Sequence, residues 1–339
     1  MSDQILLAHG GGGSLMQQLI RQELLPLYGH RPGESQPVLH DAALLEPPAA
    51  AGPLAFTCDG YVVQPLEFPG GDIGRLAVIG TANDLAMAAA RPRHLSVSLI
   101  LEEGLPLALL RRVVASMAAA AEQCGLRIVT GDTKVVERGK ADGLFISTSG
   151  VGTVEQAQPV LPAAIRPGDQ LVLSGDLGRH GVAILAARHG LDLQPPVLSD
   201  CAPLWPQVEA LLRAGVTPHC LRDLTRGGLA SALQELAEGA GLALRVDEDA
   251  VPVIEPVARV CDLLGFEPLH LANEGRFLAV VPPQQLQAAL VVLAPGGGAW
   301  IGTAADLPAG LAPRVLLRTP LGTERLLLPN SGELLPRIC

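Results

Sequence analysis

Aromatic side chains are scarce in this chain: Phe, Trp and Tyr together make up 3% of its 339 residues. A core built from it is mostly Leu, Val, Ile and Ala, and few rings remain on which bases could stack. Net positive charge is lacking too. Lys plus Arg number 24 against 34 Asp plus Glu, a formal net charge of -10, so the basic stripe that a polyanion needs is absent. Nucleic acid is a poor candidate partner on both grounds, although small anions can still bind through backbone amides and metal ions. The mean hydropathy is +0.34, yet no stretch approaches the ~20 apolar residues that span a bilayer. The opening "MSDQILLAHGGGG" has no basic region followed by an apolar core and a cleavage site. The expectation is a cytoplasmic protein with no membrane partner. Six cysteines, at 58, 124, 201, 220, 261 and 339, form no CxxC pair and no zinc-type spacing; in a reducing compartment they read as free thiols. Lysine is nearly missing: of 24 basic residues only Lys134 and Lys140 are lysine, which leaves 22 arginines. Where arginine is so dominant, a retained lysine can mark a need for a compact ammonium. Lys134 is the candidate, and Lys140 reads as surface.

What the chain does have is 48% hydrophobic residues against 17% charged, enough for a large core and a globular fold. The pattern of elements predicts an α/β (α+β) protein of two domains. "SLMQQLIRQELLPLYG" has the spacing of an amphipathic helix, and "LAFTCDGYVV" that of a strand. "LAVIGTANDLAMAAARP" reads as a helix stopped by Pro92. A long helix is expected from Pro106 to Gly125, between the strands "HLSVSLILEE" and "LRIVTGDTKVV", with "GLFISTSGVGTV" a further strand. Residues 155–169 are rich in Pro and turn formers and mark the boundary. The expected division is an N-terminal domain over 1–154, a C-terminal α/β domain over 155–324, and a flexible tail over 325–339 ending in Cys339.

Chemistry-bearing residues gather in a few places. The run Gly10, Gly11, Gly12 and Gly13 opens a helix, where backbone N–H groups can wrap an anion; the same run serves equally as a linker. It is not a Walker A loop, since GK[ST] occurs nowhere. Four aspartates sit beside small or turn residues at element boundaries: Asp59 in "TCDGYV", Asp84 after Asn83 in "GTANDLAM", Asp132 near Lys134 in "TGDTKV", and Asp223 in "LRDLTRGGLA". Each alone suits a cap or turn; together they suit Mg2+, which prefers oxygen ligands and shares them with phosphates and water. Glu274, in "LANEGRF", is either a general base or a salt-bridged structural acid. His9 adjoins the glycine run. "GDLGRHG" lacks the central serine of a nucleophile elbow. The sequence closes on "PRIC", and termini are where order is usually lost, so Cys339 has little reason to be there for packing.

Taken in order, "HGGGG", "FTCDGYVVQPLEFPGGDIGRLAVIGTANDLAMAAARP", "GDTKVVERG", "RDLTRGGLA", "NEGRF" and "PRIC" resemble the HypE family of hydrogenase-maturation proteins. That family is a branch of the ATP-binding superfamily that includes aminoimidazole ribonucleotide synthetase and selenophosphate synthetase. The aspartate motifs are shared across the superfamily, whereas "PRIC" separates this branch from the rest. The resemblance implies an aminoimidazole ribonucleotide synthetase-like fold with a mobile C-terminal tail. It also implies ATP with Mg2+, a homodimer, and an ATP-dependent carbamoyl dehydratase. Cys339 would receive a carbamoyl group from the carbamoyltransferase HypF, the group would be dehydrated to a thiocyanate, and cyanide would pass to the HypC–HypD complex for the NiFe-hydrogenase iron. On the same resemblance, Asp59, Asp84 and Asp223 are expected to serve the metal. Asn83, Asp132, Lys134 and the glycines Gly10–Gly13 are expected to serve the nucleotide, with Cys339, Lys134 and Glu274 as the catalytic set. The alternatives are a superfamily kinase or synthetase acting on a free small molecule, or a non-catalytic carrier of the carbamoyl or cyanide group.

Overall fold

The computed structural model describes residues 4–10, 14–27, 52–308, 310–328 and 337–339. In the first half a short helix α1 (Ser14–Leu19) runs into a wider π-type turn over Ile20–Leu24. The helix expected through residue 27 stops there because Pro26 follows, with no N–H to continue the ladder. Strand β1 (Leu54–Tyr61) comes next, then the two-residue strands β2 (Glu67–Phe68) and β3 (Gly71–Asp72), which pair with each other. Helix α2 (Ile73–Met87) starts at Asp72, whose carboxylate caps it by accepting from the N–H groups of Gly74 and Arg75 at 2.7 and 3.0 Å. Strand β4 (Ala90–Glu102), helix α3 (Leu107–Cys124), and strands β5 (Arg127–Val136) and β6 (Leu144–Val154) complete the half.

Here the sequence expectation needs one correction. Helix α2 does not run to Pro92 but ends at Met87, because Ala89 adopts a left-handed backbone (φ 51°) that turns the chain into β4. Pro92 then lies inside the strand. It is tolerated because the pairing register with β6 shifts between Pro92 and His94, the bulge position where a missing N–H costs nothing. The long helix α3 falls between Pro106 and Gly125 as its sequence suggests, Gly125 closing it in the left-handed region. The four strands form a sheet in the order β1-β6-β4-β5, with β4 and β5 parallel and the other neighbours antiparallel. Helices α2 and α3 cover one face: Leu76 and Ile79 meet Val113, Met117, Leu95, Leu99 and Ile146 in one buried cluster. The other face is open on β1, where Leu54 and Phe56 are 66% and 71% exposed.

The second half contains β7 (Gln170–Leu173), α4 (Arg179–His189), α5 (Trp205–Arg213), β8 (Cys220–Asp223), α6 (Gly228–Ala240), β9 (Ala243–Asp247), α7 (Glu255–Leu264) and β10 (Phe277–Val281). After these come α8 (Leu286–Leu293), β11 (Ala299–Ala305), β12 (Arg314–Arg318) and β13 (Glu324–Leu326). Its seven strands are ordered β13-β12-β9-β11-β7-β10-β8. Leu229, Leu233 and Leu236 of α6 cover one face, whereas Trp205, Val208 and Leu211 of α5 and Leu293 of α8 cover the other. A strand covered on both sides must be apolar throughout, which is why β10 reads Phe-Leu-Ala-Val-Val and every residue of it is buried.

The halves touch through α2, whose Ala86 and Met87 pack into the cluster built on Trp205 and Phe277. Of the tail expected over 325–339, residues 325–328 and 337–339 are described; Leu326 and Leu328 are exposed, at 49% and 67%. β13 pairs antiparallel with β12, Leu327 is buried, and its carbonyl accepts from Gln234. Arg337, Ile338 and Cys339 lie against the N-terminal half, Ile338 being only 3% exposed.

Candidate active site in the interdomain cleft

Two short, rigid stretches set the site. β1 carries Asp59 to its end, where Oδ1 accepts from the N–H of Gly60 at 2.7 Å. The neighbouring turn of α2 presents Asp84, whose Oδ2 accepts from the Thr57 hydroxyl at 2.9 Å. From the other half, β8 ends on the buried Asp223, and the run after Leu271 brings in Glu274, only 3% exposed. These four acids feel one another. Burial, then the charge of Asp223 and that of Asp59, pushes Asp84 up to about 7 against the Thr57 hydrogen bond and Arg222. Burial raises Asp223, with Arg222 opposing and Asp59 adding to the rise. Glu274 is driven well above the carboxylate range, by burial first and then by Asp223, Asp200, Asp59 and Asp84. A set of acids that disfavour each other's charge in a cleft is typical of a functional site.

Glu274 is held tightly by its backbone. Its N–H donates to Asp200 Oδ1 at 3.1 Å, and its carbonyl accepts from Asn83 Nδ2 at 3.1 Å and from the Ala202 N–H at 3.4 Å. The next residue must be glycine: a Cβ on Gly275 would stand 1.9 Å from the Asp200 carbonyl oxygen. Yet Glu274 Oε1 and Asp200 Oδ2 are buried with no hydrogen-bond partner. Buried acceptors are rarely left without a partner, and among the described residues these two have none.

The acids meet only part of what a metal requires. Among the described residues no group of three or more His, Cys, Asp or Glu is gathered so as to hold an ion by itself. Asp59, Asp84 and Asp223 supply oxygen donors of the kind Mg2+ prefers, a cation that also takes phosphate oxygens and water.

Other candidates fall elsewhere. Asn83 is wholly occupied as a clasp between the halves, its Nδ2 donating to the carbonyls of Ala202 and Glu274 and its Oδ1 accepting from the N–H of Leu204; it acts on the site by placing Glu274. Asp132 and Lys134 pair with each other on β5 at 3.0 Å, both exposed, and Lys134 holds Asp132 below the usual carboxylate range. β5 is the opposite sheet edge from β1, about 14 Å away at the usual strand spacing, so one chain does not bring this pair to Asp59. Gly10 closes a 3-10 turn, Leu7–Gly10, while Gly11, Gly12 and Gly13 lie outside the described residues. His9 is buried, its Nδ1 accepting from the Leu6 N–H at 2.9 Å, a local turn contact.

Cys339 is part of a docked segment beside the end of β1. Its main-chain oxygen accepts from Val62 N–H at 3.0 Å and the Arg337 carbonyl from Gln64 N–H at 3.3 Å, an antiparallel pairing just beyond β1. Cys339 packs on the cluster that contains Ile338, Cys201 and Ala272. Sequence reasoning missed Asp200, Ser199 and His180. The first two sit in a Pro-rich loop, and His180 belongs to the "GRHG" that was judged only as a failed nucleophile elbow.

The chain is similar to known proteins over nearly its whole length. Residues 39–154 match the N-terminal domain of the AIR synthase related proteins, and residues 166–306 match the C-terminal domain. The carbamoyl dehydratase HypE of Rhodobacter capsulatus is 48% identical over 99% of this chain and 98% of the relative; that of Escherichia coli is 43% identical over 99% and 100%. A crystal structure of hydrogenase maturation protein HypE in complex with ATP superimposes with a TM-score of 0.92, at 44% identity over 98% of this chain and 99% of the other. A HypE–HypF complex matches with a TM-score of 0.77, at 40% identity over 82% and 90%. The chain is therefore a member of the AIR synthase related family and, within it, of the HypE carbamoyl dehydratases of hydrogenase maturation.

Proposed function

We propose that this enzyme dehydrates a carbamoyl group carried on its own Cys339, at the expense of ATP, to supply the cyanide ligands of the NiFe-hydrogenase iron. The observation that carries the reading is the docked Cys339 segment, which pairs with the backbone of Val62 and Gln64, just past Asp59 of β1.

The chemistry follows from what each group can do. In the thiocarboxamide, the amide oxygen is a poor leaving group. Its attack on the ATP γ-phosphorus releases ADP, and the oxygen then departs as phosphate while both protons leave the nitrogen and C≡N forms. Thiocarboxamide plus ATP gives thiocyanate, ADP, phosphate and one proton, the second nitrogen proton ending on the phosphate. Glu274 is the proton acceptor: buried among other acids, it is a strong base whenever it is ionised, and Asn83 and Asp200 fix its backbone. Asp59, Asp84 and Asp223 are the residues that would hold Mg2+, which would supply charge neutralisation for phosphoryl transfer. ATP itself is supported by the HypE structure solved with ATP, and HypF as carbamoyl donor by the HypE–HypF complex. HypC–HypD is the proposed cyanide acceptor.

We also propose a homodimer. The exposed Leu54 and Phe56 on β1 give the open sheet face something to bury, and a second copy is the means by which Lys134 and Asp132 of one chain would reach a triphosphate held by the other.

The test is intact mass with mapping of the C-terminal peptide, after incubation with the carbamoyltransferase and its substrates and then with Mg-ATP. The expected result is one carbamoyl group on Cys339, followed by loss of one water. An unmodified Cys339 beside an active transferase would refute the self-modification and leave an ATP-dependent enzyme with a diffusible substrate.

A further inference from the structure

Three consecutive main-chain oxygens of the docked segment each accept from a donor in the body of the protein. That of Cys339 is bonded by Val62 N–H at 3.0 Å, and that of Arg337 by Gln64 N–H at 3.3 Å and by the Arg188 guanidinium. Between them, the Ile338 carbonyl accepts from His180 Nε2 at 2.9 Å. Two of these donors are main-chain groups next to β1. His180 and Arg188 belong to α4 in the other half, so the segment is gripped from both sides of the cleft.

His180 is built for one role. It is fully buried, and Phe68 meets its ring edge-on, with centroids 5.4 Å apart and planes at 88°. Its Nδ1 lies 2.8 Å from Ser199 Oγ. A carbonyl cannot donate, so Nε2 must carry the hydrogen toward Ile338; the neutral ring then leaves Nδ1 to accept from the serine hydroxyl. Ser199 Oγ in turn accepts from the N–H of Cys201 at 3.1 Å, and Cys201 follows Asp200, the partner of Glu274. The chain of bonds thus runs from the backbone of the acid cluster to the peptide unit that carries Cys339.

Resting on the reading that Cys339 carries the reacting group, we propose that His180 is a positioning residue for the reaction: it fixes the Ile338–Cys339 peptide unit, and hence the direction of the Cys339 side chain, through the Ser199–His180–Ile338 carbonyl chain. Selectivity for this segment comes from its side chains. Ile338 fills an apolar hole, and Arg337 pairs with Asp142, donates to the Val62 carbonyl at 3.0 Å and lies over Phe145 at 5.9 Å. Arg337 does this from a left-handed backbone (φ 55°), a conformation a non-glycine residue holds only when its surroundings fix it.

The experiment compares wild type with His180→Leu, which keeps the bulk and removes the donor, and with His180→Gln, which restores an N–H near the Nε2 position. The first readout is alkylation of Cys339 by iodoacetamide at fixed pH, followed by peptide mass, in the full-length protein without nucleotide. Loss of one buried hydrogen bond is worth about a five- to tenfold change, so His180→Leu should raise the alkylation rate by about that factor and His180→Gln should restore most of the protection. The second readout is single-turnover dehydration of carbamoylated protein: His180→Leu should slow it at least as much, with ATP affinity unchanged. If His180→Leu does not fold, Ser199→Ala is expected to shift both readouts in the same direction, by less. Unchanged alkylation in these variants, or faster alkylation with an unchanged dehydration rate, would overturn the assignment. Failure of the wild type to carry a carbamoyl group would instead refute the proposed function, while the alkylation result would stand.

Discussion

A single acid, Glu274, shows how a residue's setting exceeds its motif. "NEGRF" in sequence is compatible with a salt-bridged structural glutamate, and Arg276 lies two positions on. In the fold Arg276 bonds Asp176 instead, at 2.5 Å, and Glu274 is left among four other acids with one oxygen unpartnered. Glu274→Gln keeps the shape and removes the base. It is expected to lower single-turnover dehydration by about 10²- to 10⁴-fold, the usual worth of general-base catalysis, while nucleotide binding measured by calorimetry survives. A similar argument applies to Asp84. Its folded-state pKa of about 7 lies above the ordinary value of about 4, so the unliganded fold loses stability as pH rises from about 4 through 7. A bound cation favours the carboxylate and reverses this. Mg-ATP binding at pH 7 should therefore release on the order of half a proton from Asp84, visible as a dependence of the calorimetric heat on buffer ionisation, and affinity should fall as pH drops below 7. Asp84→Asn should reduce that dependence, leaving the share that the raised Asp223 and Glu274 contribute.

The elements differ in how openly the sequence announces them. α3 was legible because both ends are marked, Pro106 before it and Gly125 after it, around an amphipathic stripe. β10 was legible as an unbroken apolar run. β8 was not, for it is four residues long and borrows its pattern from burial between β10 and the helices. The end of α2 was misread because proline is the stronger local signal, whereas the turn is made by Ala89, a residue with no such signature. Glycines carry hidden information of the same kind. Gly275 has no turn to make; it exists so that Asp200 can approach. Gly275→Ala would force that loop away from Glu274 and is expected to cost about 1–3 kcal/mol of stability, read as a lowered Tm, with dehydration lost by a larger factor than the fold's stability explains.

For the whole molecule, the two-domain α/β architecture was legible from the alternation of elements and the Pro-rich boundary at 155–169. The site was legible as a set of motifs but not as an arrangement. Asp59, Asp84, Asp223 and Glu274 come from both halves, and nothing in their spacing said that Asn83 would be spent on the clasp or that Lys134 would sit on the opposite sheet edge. Those facts depend on strand order, which residue patterns do not encode. The open face of the first sheet carries the last prediction. If Leu54 and Phe56 are buried between two copies, Phe56→Asp should shift the protein from dimer to monomer in sedimentation. It should also lower ATP turnover, because Lys134 would then have no triphosphate to reach.

The grip on Arg337, Ile338 and Cys339 has a consequence for the catalytic cycle. The docked Arg337 comes ten positions after Leu327, whose carbonyl Gln234 holds, so the segment is a ligand covalently attached to its own groove. Short tethers give effective concentrations in the millimolar range. A groove serving such a ligand needs only comparable, millimolar affinity to be filled, which a few carbonyl hydrogen bonds and one buried isoleucine provide. Weak intrinsic affinity is what the proposed carrier role of Cys339 requires, since on that reading each turnover must also end in release. The same arithmetic says that a free peptide of this sequence will not compete at micromolar concentration: the protein keeps its groove for itself by attachment rather than by strength.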